Sequence, residues 1–310
     1  MKKLINQNVL ITGGAGFIGS CLVFFLKKKY KLFVIDDLSI GKKSQVKTKN
    51  FYRFSLLNKK KLNFFFKKNK INLVIHLAAH SNLRLSEANP KIFFENNYIA
   101  TKNLIDSMLA NNVKNIIFSS TASVYGSPKV IPISEKQRCK PISVYGKTKL
   151  KAEKYIIKNS KKNFKYVIFR FFNVAGSFHK EKLGETKHPP EHFIPISVSK
   201  VLQNKTINIF NKFQTKDGTG IRDYIHIYDI CIAHIKAIKY LSLKKNNKSV
   251  ILNLGSKKGV SAIEIIKKLS KLMQRKIKFN FKKKKIGEPN ILISSSEKSK
   301  KFLGWSPKKN

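Results

Sequence analysis

Tyr145 and Lys149 are the two residues of this sequence best suited to moving a proton. They lie in the stretch YGKTKLKAEKYIIK, whose pattern predicts a helix, so both side chains share one helical face. A phenol ordinarily ionises at about pH 10, and a nearby ammonium favours its phenolate form. The spacing therefore predicts that Lys149 lowers the pKa of Tyr145 and that Tyr145 acts as a base.

A second tyrosine, Tyr125, ends an identical SVYG tetrapeptide but has a different environment. No lysine follows it at helical spacing, because Pro128 breaks a helix before Lys129 is reached. We therefore interpret Tyr125 as a residue that packs near the site, and Tyr145 as the one that does chemistry.

Three consecutive hydroxyl residues, Ser119, Ser120 and Thr121, follow a short apolar run. That run, residues 116–120, has the length and branched residues of a buried strand. Open parallel sheets bind ligands at the carboxyl ends of their strands. We therefore expect Thr121 to share a hydrogen bond with Tyr145 and a substrate hydroxyl.

The segment TGGAGFIG, residues 12–19, has glycine spacing typical of dinucleotide binding. It follows an apolar run and opens a helical pattern, and a side chain at Gly13 or Gly16 would block a pyrophosphate from the backbone N–H groups. Asp36 lies about twenty residues further on, where a carboxylate accepts from ribose hydroxyls. It would repel a 2′-phosphate, so the sequence predicts NAD rather than NADP, with Asp37 and Leu38 on the adenosine side.

Alternating strand and helix patterns must position these residues. The apolar runs predict strands at residues 9–12, 32–36, 73–78, 116–120 and 166–172. The order predicts an α/β fold with a doubly wound parallel sheet, the Rossmann type. We expect a NAD-binding domain over residues 1–173, to which residues 226–256 return, and a smaller mixed α/β substrate domain over residues 174–310.

Composition bears on the partners. The chain has 64 Lys and Arg against 16 Asp and Glu, a net charge of +48, which is typical of nucleic-acid binders. The lysines are spread over the whole length, so we expect a solvated surface and no nucleic-acid partner. The stretch KKKLNFFFKKNK interleaves basic and aromatic residues, but at helical spacing Leu62, Phe65 and Phe66 form one buried face.

Three further features concern the compartment. No run approaches the roughly 18 apolar residues of a membrane span, and the first residues lack the features of a signal peptide. Cys21, Cys139 and Cys231 are too widely spaced for a metal or redox motif. We expect a cytoplasmic protein with no membrane partner and no bound metal.

Several longer motifs cover nearly the whole chain, namely VLITGGAGFIGS, VIHLAA, FSSTASVYG, SVYGKTKLKAE, RFFNVAG, PPEHFIP, DGTGIRDYIHIYDI and LGWSP. Together they resemble the extended short-chain dehydrogenase/reductase family, and within it the UDP-glucose 4-epimerases. Sugar-nucleotide dehydratases of this superfamily place an acidic residue after the strand-end hydroxyl, whereas this chain has Ala122 and Ser123, which disfavours dehydration.

The resemblance implies an isomerase of galactose metabolism that interconverts UDP-galactose and UDP-glucose. Tyr145 would take the O4 proton while NAD takes the C4 hydride, and the resulting 4-keto sugar would turn before the hydride returns. The resemblance also implies a homodimer. A 4-epimerase acting on UDP-N-acetylhexosamine, UDP-glucuronate or a UDP-pentose would keep the same residues. A more distant alternative is a non-catalytic basic protein that binds NAD or nucleic acid.

The resemblance also assigns roles by position. Besides Asp36, Asp37 and Leu38, the cofactor residues are Gly13, Gly16, Phe17, Ile18, Gly19, Ser55, Leu56, Leu77, Ala78, Ala79, Asn96, Ser119, Tyr145, Lys149 and Phe172. The substrate residues are Thr121, Asn173, His192, Phe193, Phe210, Arg222, Lys285 and Leu292. Arg222 could instead form a structural salt bridge with Asp223 or Asp229.

Two positions depart from the family pattern. Phe54 and Ser55 stand where relatives have Gly-Asp to hold adenine. Lys285 stands where they have a second arginine for the diphosphate, which keeps the charge but loses the fork geometry. Leu292 lies at the position of the family's size gate, and its intermediate bulk does not decide whether N-acetyl sugars are accepted.

Overall fold

The protein contains one large parallel sheet and smaller sheets on one side of it. The computed structural model describes residues 7–160, 164–178, 180–187, 189–243, 248–284 and 288–309. The strands are, in chain order, β1 (Asn8–Thr12), β2 (Lys31–Asp36), β3 (Phe51–Arg53), β4 (Leu73–His76), β5 (Asn115–Thr121), β6 (Lys165–Phe171), β7 (Asn173–Ala175), β8 (Ile207–Asn211), β9 (Ile221–His226), β10 (Val250–Leu254), β11 (Gly259–Ser261), β12 (Phe279–Lys283) and β13 (Ile291–Leu292).

Helices connect and cover these strands. They are α1 (Phe17–Leu26), α2 (Lys59–Lys68), α3 (Leu83–Ala88), α4 (Pro90–Phe94), α5 (Ala100–Ala110), α6 (Val144–Asn159), α7 (Phe193–Leu202), α8 (Ile227–Ser242), α9 (Ala262–Met273) and α10 (Glu297–Leu303). A π-helical turn, Glu95–Ile99, joins α4 to α5, and Ala122–Tyr125 form a 3₁₀ turn after β5. Within the described ranges, the search for a helix long and apolar enough to span a bilayer finds none.

The large sheet has seven parallel strands in the order β10-β6-β5-β4-β1-β2-β3. The strand order reverses between β1 and β4, which creates a crevice at the carboxyl ends of these two strands. All five strands predicted from the sequence are present, each within two residues of its predicted bounds. The predicted doubly wound parallel sheet is therefore confirmed.

Two apolar layers hold helices against the faces of this sheet. Successive residues of β1 alternate between them, with Val9 and Ile11 in the layer that contains α1 and α8, and Leu10 in the layer that contains α2 and α5. Leu62, Phe65 and Phe66 of α2 are buried in the second layer, as helical spacing predicts. Each such side chain contributes about 1.5–3 kcal/mol on burial.

Residues after Asn173 build the smaller sheets. Strands β11, β9 and β13 lie side by side, β7 pairs with β9, and β8 pairs with β12. Strand β7 begins at Asn173, and the next helix, α7, begins at Phe193. The end of the chain packs against the large domain. Trp305 is buried in the layer that contains α1 and α8, and its indole donates to the carbonyl of Asp229 in α8 at 2.9 Å.

Candidate active site

The loop from β1 to α1 lies so close to the segment after β4 that side chains do not fit between them. Gly13 has a φ of +70°, and a Cβ added there would lie 2.5 Å from the backbone nitrogen of Ala78. A Cβ on Gly19 would lie 2.2 Å from the carbonyl oxygen of Gly13. Gly16 caps α1 without a side-chain hydrogen bond, as in loops whose backbone N–H groups bind a pyrophosphate.

We expect Gly13→Ala to lower the free energy of unfolding by about 3 kcal/mol. The left-handed conformation costs an alanine about 1 kcal/mol, and the overlap with Ala78 adds about 2 kcal/mol. Gly218 is a matched control, because its φ is +72° but no atom lies within 4 Å of an added Cβ. Urea denaturation should therefore show a loss of only about 1 kcal/mol for Gly218→Ala. Equal losses in the two variants would contradict the close approach at Gly13.

A pocket opens between this glycine loop and the carboxyl ends of β2 and β4. Nine of the residues predicted for the cofactor line it, namely Gly13, Gly16, Asp36, Asp37, Leu56, Leu77, Ala78, Ala79 and Asn96. The other lining residues are Ile35, Ser39, Ile40, Gly41, Phe54, His80 and Ala100, which the sequence analysis did not assign to the cofactor. The loop at 39–41 could have been found, because it directly follows the predicted strand end.

Asp36 is fixed by backbone N–H groups at the edge of this pocket. Its two carboxylate oxygens accept from Ala15 N at 2.9 Å and Leu38 N at 2.8 Å. Burial raises the pKa of Asp36, although both hydrogen bonds oppose this effect. Ser55 does not line the pocket among the described residues. Its hydroxyl instead accepts from Leu57 N at 3.2 Å, while Phe54 faces the pocket.

Helix α6 presents Tyr145 in its first turn. The Ser143 hydroxyl caps the helix by accepting from Gly146 N at 3.0 Å, and Tyr145 N donates to the Ser86 hydroxyl of α3 at 3.2 Å. Thr121, at the end of β5, lies close enough to the Tyr145 phenol to lower its pKa, while its hydroxyl donates to the Ser123 hydroxyl at 3.2 Å and accepts from Ser123 N at 3.1 Å. The structure therefore brings together the two hydroxyl groups that the sequence analysis paired, in a setting where Tyr145 is only 9% exposed.

Burial dominates the protonation of the tyrosine–lysine pair. It raises the pKa of Tyr145 to about 12, against the effect of Thr121, and lowers the pKa of Lys149 to about 7, against the charge of Glu153. The Lys149 ammonium lies 4.2 Å from the centre of the Phe118 ring. The protein residues alone thus do not give the lowered tyrosine pKa that the spacing predicts, because desolvation of the phenol outweighs the opposing effect of Thr121.

Tyr125 lies in a different environment, as its sequence context predicts. It is 2% exposed, its hydroxyl donates to Asn253 Oδ1 at 2.7 Å, and it accepts from Arg170 at 3.0 Å. Burial raises the pKa of its phenol above the ordinary value. Phe172 belongs to the same apolar cluster, and Leu292 packs against it.

Arg222 lies on β9 beside two other predicted substrate residues. Leu292 of β13 is its direct neighbour in register, and Asn173 pairs with Tyr224 two residues further along β9. The guanidinium donates to the carbonyls of Ile221 at 2.9 Å and Asn290 at 3.3 Å. No ion pair among the described residues includes Arg222, so the alternative of a salt bridge is wrong for this part of the chain.

The remaining predicted substrate residues lie on the segments around α7 and β8. His192 Nδ1 hydrogen-bonds Glu185 Oε2 at 2.7 Å, and this bond raises the pKa of His192. Phe193 begins α7. The ring of Phe210 in β8 lies 4.3 Å from the guanidinium of Arg84 in α3. Lys285 lies outside the described residues.

Comparison with known proteins identifies the family of this chain. The sequence model for the NAD dependent epimerase/dehydratase family matches residues 9–255. The chain belongs to the NAD-dependent epimerase/dehydratase family. Its glycine loop, Asp36 and Tyr145 all fall within the matched residues.

Individual members of the epimerase/dehydratase family are similar over nearly the whole chain. A UDP-glucose 4-epimerase of Halalkalibacterium halodurans is 38% identical over 304 residues, which cover 97% of this chain and 90% of the relative. The crystal structure of UDP-glucose 4-epimerase from Brucella ovis in complex with NAD has a TM-score of 0.92 at 32% identity and covers 97% of this chain and 94% of that chain. The UDP-Glc/GlcNAc 4-epimerase from Campylobacter jejuni has a TM-score of 0.84 at 34% identity, with 98% and 95% coverage. The predicted family resemblance is confirmed.

Proposed function

We propose that this protein is an NAD-dependent isomerase that inverts C4 of a UDP-hexose and thereby interconverts UDP-galactose and UDP-glucose. One observation carries the proposal. Helix α6 places Tyr145 one turn from Lys149, and Thr121 at the end of β5 is close enough to the Tyr145 phenol to act on its pKa. The same fold has a glycine loop whose close approach suits a dinucleotide. The identity to UDP-glucose 4-epimerases over almost the full length supports the choice of substrate.

The described residues fit NAD. The glycine loop would hold the pyrophosphate at the start of α1, and Asp36 would hold the ribose hydroxyls. Residues 77–79 would contact the middle of the cofactor, since they line the same pocket directly beside Gly13. When bound, NAD would supply a positively charged ring that favours the Tyr145 phenolate and an acceptor and donor for the C4 hydride. We assign this role to residues 1–173 together with residues 226–256.

The protein's own residues move the proton. Tyr145 as phenolate accepts the O4 proton when the C4–H bond breaks, and it returns that proton to O4 when the bond re-forms on the opposite face of the sugar. Thr121 orients the O4 hydroxyl, and Lys149 as ammonium stabilises the phenolate. The net change in oxidation state is zero. Because Tyr145 and Lys149 are nearly buried, water is excluded from them while the sugar carries a 4-keto group.

Arg222 is proposed to hold the UDP diphosphate. Its guanidinium has no carboxylate partner among the described residues, and burial lowers its pKa, so a bound anion would relieve the cost of its buried charge. Asn173, His192, Phe193, Phe210 and Leu292 complete this side of the proposed site, together with Lys285. The fork of an arginine suits phosphate oxygens better than a lysine does.

We therefore expect Arg222→Gln to raise the KM for UDP-galactose about 100-fold, since a charge-assisted contact contributes about 1.5–3 kcal/mol. Arg222→Lys should fall in between, because it keeps the charge but loses the fork. Arg275→Gln is the matched control, because Arg275 is exposed and its guanidinium makes a long contact to Asn204 at 3.5 Å. Steady-state kinetics would check these values, and an unchanged KM in Arg222→Gln would contradict the assignment.

The direct test of the function is conversion of UDP-galactose by the purified protein in the presence of NAD. We expect UDP-glucose to accumulate until the two sugars reach equilibrium, as followed by anion-exchange chromatography. The expected result includes no net NADH production. If neither UDP-hexose is converted, the proposal is wrong.

A second candidate keeps the same chemistry on a UDP-N-acetylhexosamine. It is favoured by the similarity to the Campylobacter jejuni UDP-Glc/GlcNAc 4-epimerase. A substrate panel of UDP-hexoses, UDP-N-acetylhexosamines, UDP-glucuronate and UDP-pentoses distinguishes these functions. The largest kcat/KM identifies the sugar for which the pocket is shaped.

A homodimer is also part of the proposal. Leu83, Leu85, Ile92 and Phe94 of α3 and α4 are between 37% and 52% exposed, and they form an apolar surface next to α6. Exposed apolar surfaces of this kind are typical of subunit contacts. Ile92→Asp should lower the mass observed by light scattering from two chains to one.

A cytoplasmic location is also part of the proposal, and it is supported by the three cysteines, which are free thiols.

A further inference from the structure

A buried ion pair lies one helical turn beyond Lys149. Glu153, on the same face of α6, accepts from Arg170 of β6 through two hydrogen bonds, Nε to Oε1 at 3.0 Å and Nη2 to Oε2 at 2.7 Å. Glu153 is 1% exposed and Arg170 is 4% exposed. Neither residue touches the proposed substrate or cofactor, and a buried ion pair is often no more stable than an apolar pair of the same size. Its position beneath the proton-transfer residues therefore calls for another explanation.

Glu153 joins α6, which carries Tyr145 and Lys149, to β5, which ends at Thr121. The Ser120 hydroxyl, next to Thr121 at the end of β5, donates to Glu153 Oε1 at 2.5 Å. Arg170 also donates to the Tyr125 hydroxyl at 3.0 Å, and Tyr125 donates to Asn253 of β10 at 2.7 Å. A displacement of α6 along its axis would therefore break several buried hydrogen bonds at once.

Among the groups that face Lys149, Glu153 is the charge that acts on the lysine pKa. From its own helix Lys149 faces Tyr145 and Glu153, from β4 it faces His76, and from β5 it faces the ring of Phe118. His76 is buried between the hydroxyls of Thr12 at 2.7 Å and Thr101 at 2.8 Å, and burial keeps its pKa well below the ordinary value, so it is neutral. Around the ion pair itself lie Tyr125, Glu135, Cys139 and Tyr166.

We propose that Glu153 and Arg170 are positioning residues for proton transfer, which hold α6 against the end of β5 and balance the charge next to Lys149. The inference rests on the proposed roles of Tyr145 and Lys149. Burial lowers the pKa of Lys149 to about 7, and Glu153 opposes this effect. The Glu153 carboxylate thus favours the charged form of Lys149, and the Arg170 guanidinium weakens this effect because it partly neutralises the carboxylate.

Two variants that break the same pair from opposite ends test the inference. Glu153→Gln leaves the guanidinium unpaired, so the pKa of Lys149 should fall by about one unit. Arg170→Gln leaves the carboxylate unpaired, so the pKa of Lys149 should rise by about one unit. Both variants should lose stability. A purely structural ion pair would lower stability in both variants without moving the lysine pKa in opposite directions.

The pKa can be measured without any substrate. In protein with ¹³Cε-labelled lysine, the Lys149 signal should titrate near neutral pH, far from exposed lysines at about 10.4, and should be absent in Lys149→Met. The alkaline limb of the kcat–pH profile should move with it, to lower pH in Glu153→Gln and to higher pH in Arg170→Gln. Glu153→Asp keeps the charge and should restore most of the wild-type profile. The double variant Glu153→Gln/Arg170→Gln should return the signal towards the wild-type position.

The outcomes separate the two proposals. If the wild type converts UDP-galactose but the Lys149 signal stays in place or shifts in the same direction in both variants, the positioning role is wrong. If one variant does not fold, the direction of the shift in the other and the rescue by Glu153→Asp still decide the question. If the wild type converts no UDP-sugar, the proposed function fails, whatever the lysine signal does.

Discussion

Replacement of Tyr145 with Phe is expected to lower kcat for UDP-galactose about 1,000-fold, because it removes the group proposed to accept and return the O4 proton. The change deletes one oxygen atom and leaves the ring in its buried position in α6. The interaction of the phenol with Thr121 is lost. The hydrogen bonds that fix the helix start, from Gly146 N to the Ser143 hydroxyl and from Tyr145 N to the Ser86 hydroxyl, do not involve the phenol. KM and NAD content should therefore change little.

The repeated SVYG tetrapeptide offers a matched control. Tyr125→Phe makes the same chemical change in the same local sequence, but it removes hydrogen bonds to Asn253 and from Arg170. We expect it to lower the free energy of unfolding by about 1–3 kcal/mol, because buried partners are left unsatisfied, and to keep kcat within about tenfold of the wild type. Coupled assay of UDP-glucose formation and urea denaturation measure both quantities. If Tyr145→Phe keeps wild-type kcat, another group is the base.

The large sheet could be predicted from the sequence because its strands are buried on both faces. Residues 9–12 and 73–75 are continuous apolar or branched runs, and such runs are typical of parallel strands covered by helices. The smaller sheets gave no comparable signal. Every residue of β12 is exposed, and β13 has only two residues, so neither the apolar pattern nor the length indicates a strand.

Some features of the site could likewise be predicted from the sequence, and others could not. The glycine loop, Asp36 and the Tyr145–Lys149 spacing are local patterns, so the sequence predicts them. The direction in which the pKa of Tyr145 shifts is not a local property, because it depends on how completely the surrounding structure buries the phenol. Among the described residues, Arg222 has no carboxylate in an ion pair with it, and this is likewise a tertiary property, since the neighbouring Asp223 carboxylate bonds Ser256, Lys257 and Ser294 instead.

Asp223 is expected to be one of the residues on which stability depends most. It is 0% exposed, and its carboxylate accepts five hydrogen bonds that join β9 to two other segments. Oδ1 accepts from the backbone and hydroxyl of Ser256 at 2.6 and 2.7 Å. Oδ2 accepts from Lys257 N at 3.1 Å and from the backbone and hydroxyl of Ser294 at 3.0 and 2.6 Å.

We expect Asp223→Asn to lower the free energy of unfolding by about 3–5 kcal/mol. An amide replaces one acceptor oxygen with a donor, so its NH₂ would face N–H or O–H groups that themselves need an acceptor, and each buried donor left unsatisfied costs about 1–3 kcal/mol. Asp106→Asn is the control, because Asp106 is partly exposed and pairs with Lys102 at 2.7 Å, a contact worth at most about 1 kcal/mol. Its other oxygen accepts from the Tyr155 hydroxyl, and the carbonyl oxygen of an asparagine can still do so. Urea denaturation followed by circular dichroism measures both variants.

The kinetic consequence of Asp223→Asn separates stability from binding. Asp223 and Arg222 are adjacent on β9 and point to opposite sides of the strand, so a local loosening of β9 should also raise the KM for UDP-galactose. A large loss of stability with unchanged KM would mean that Arg222 is held by its bonds to Ile221 and Asn290 alone. Stability equal to the wild type would contradict the requirement for an acceptor-only side chain at this position.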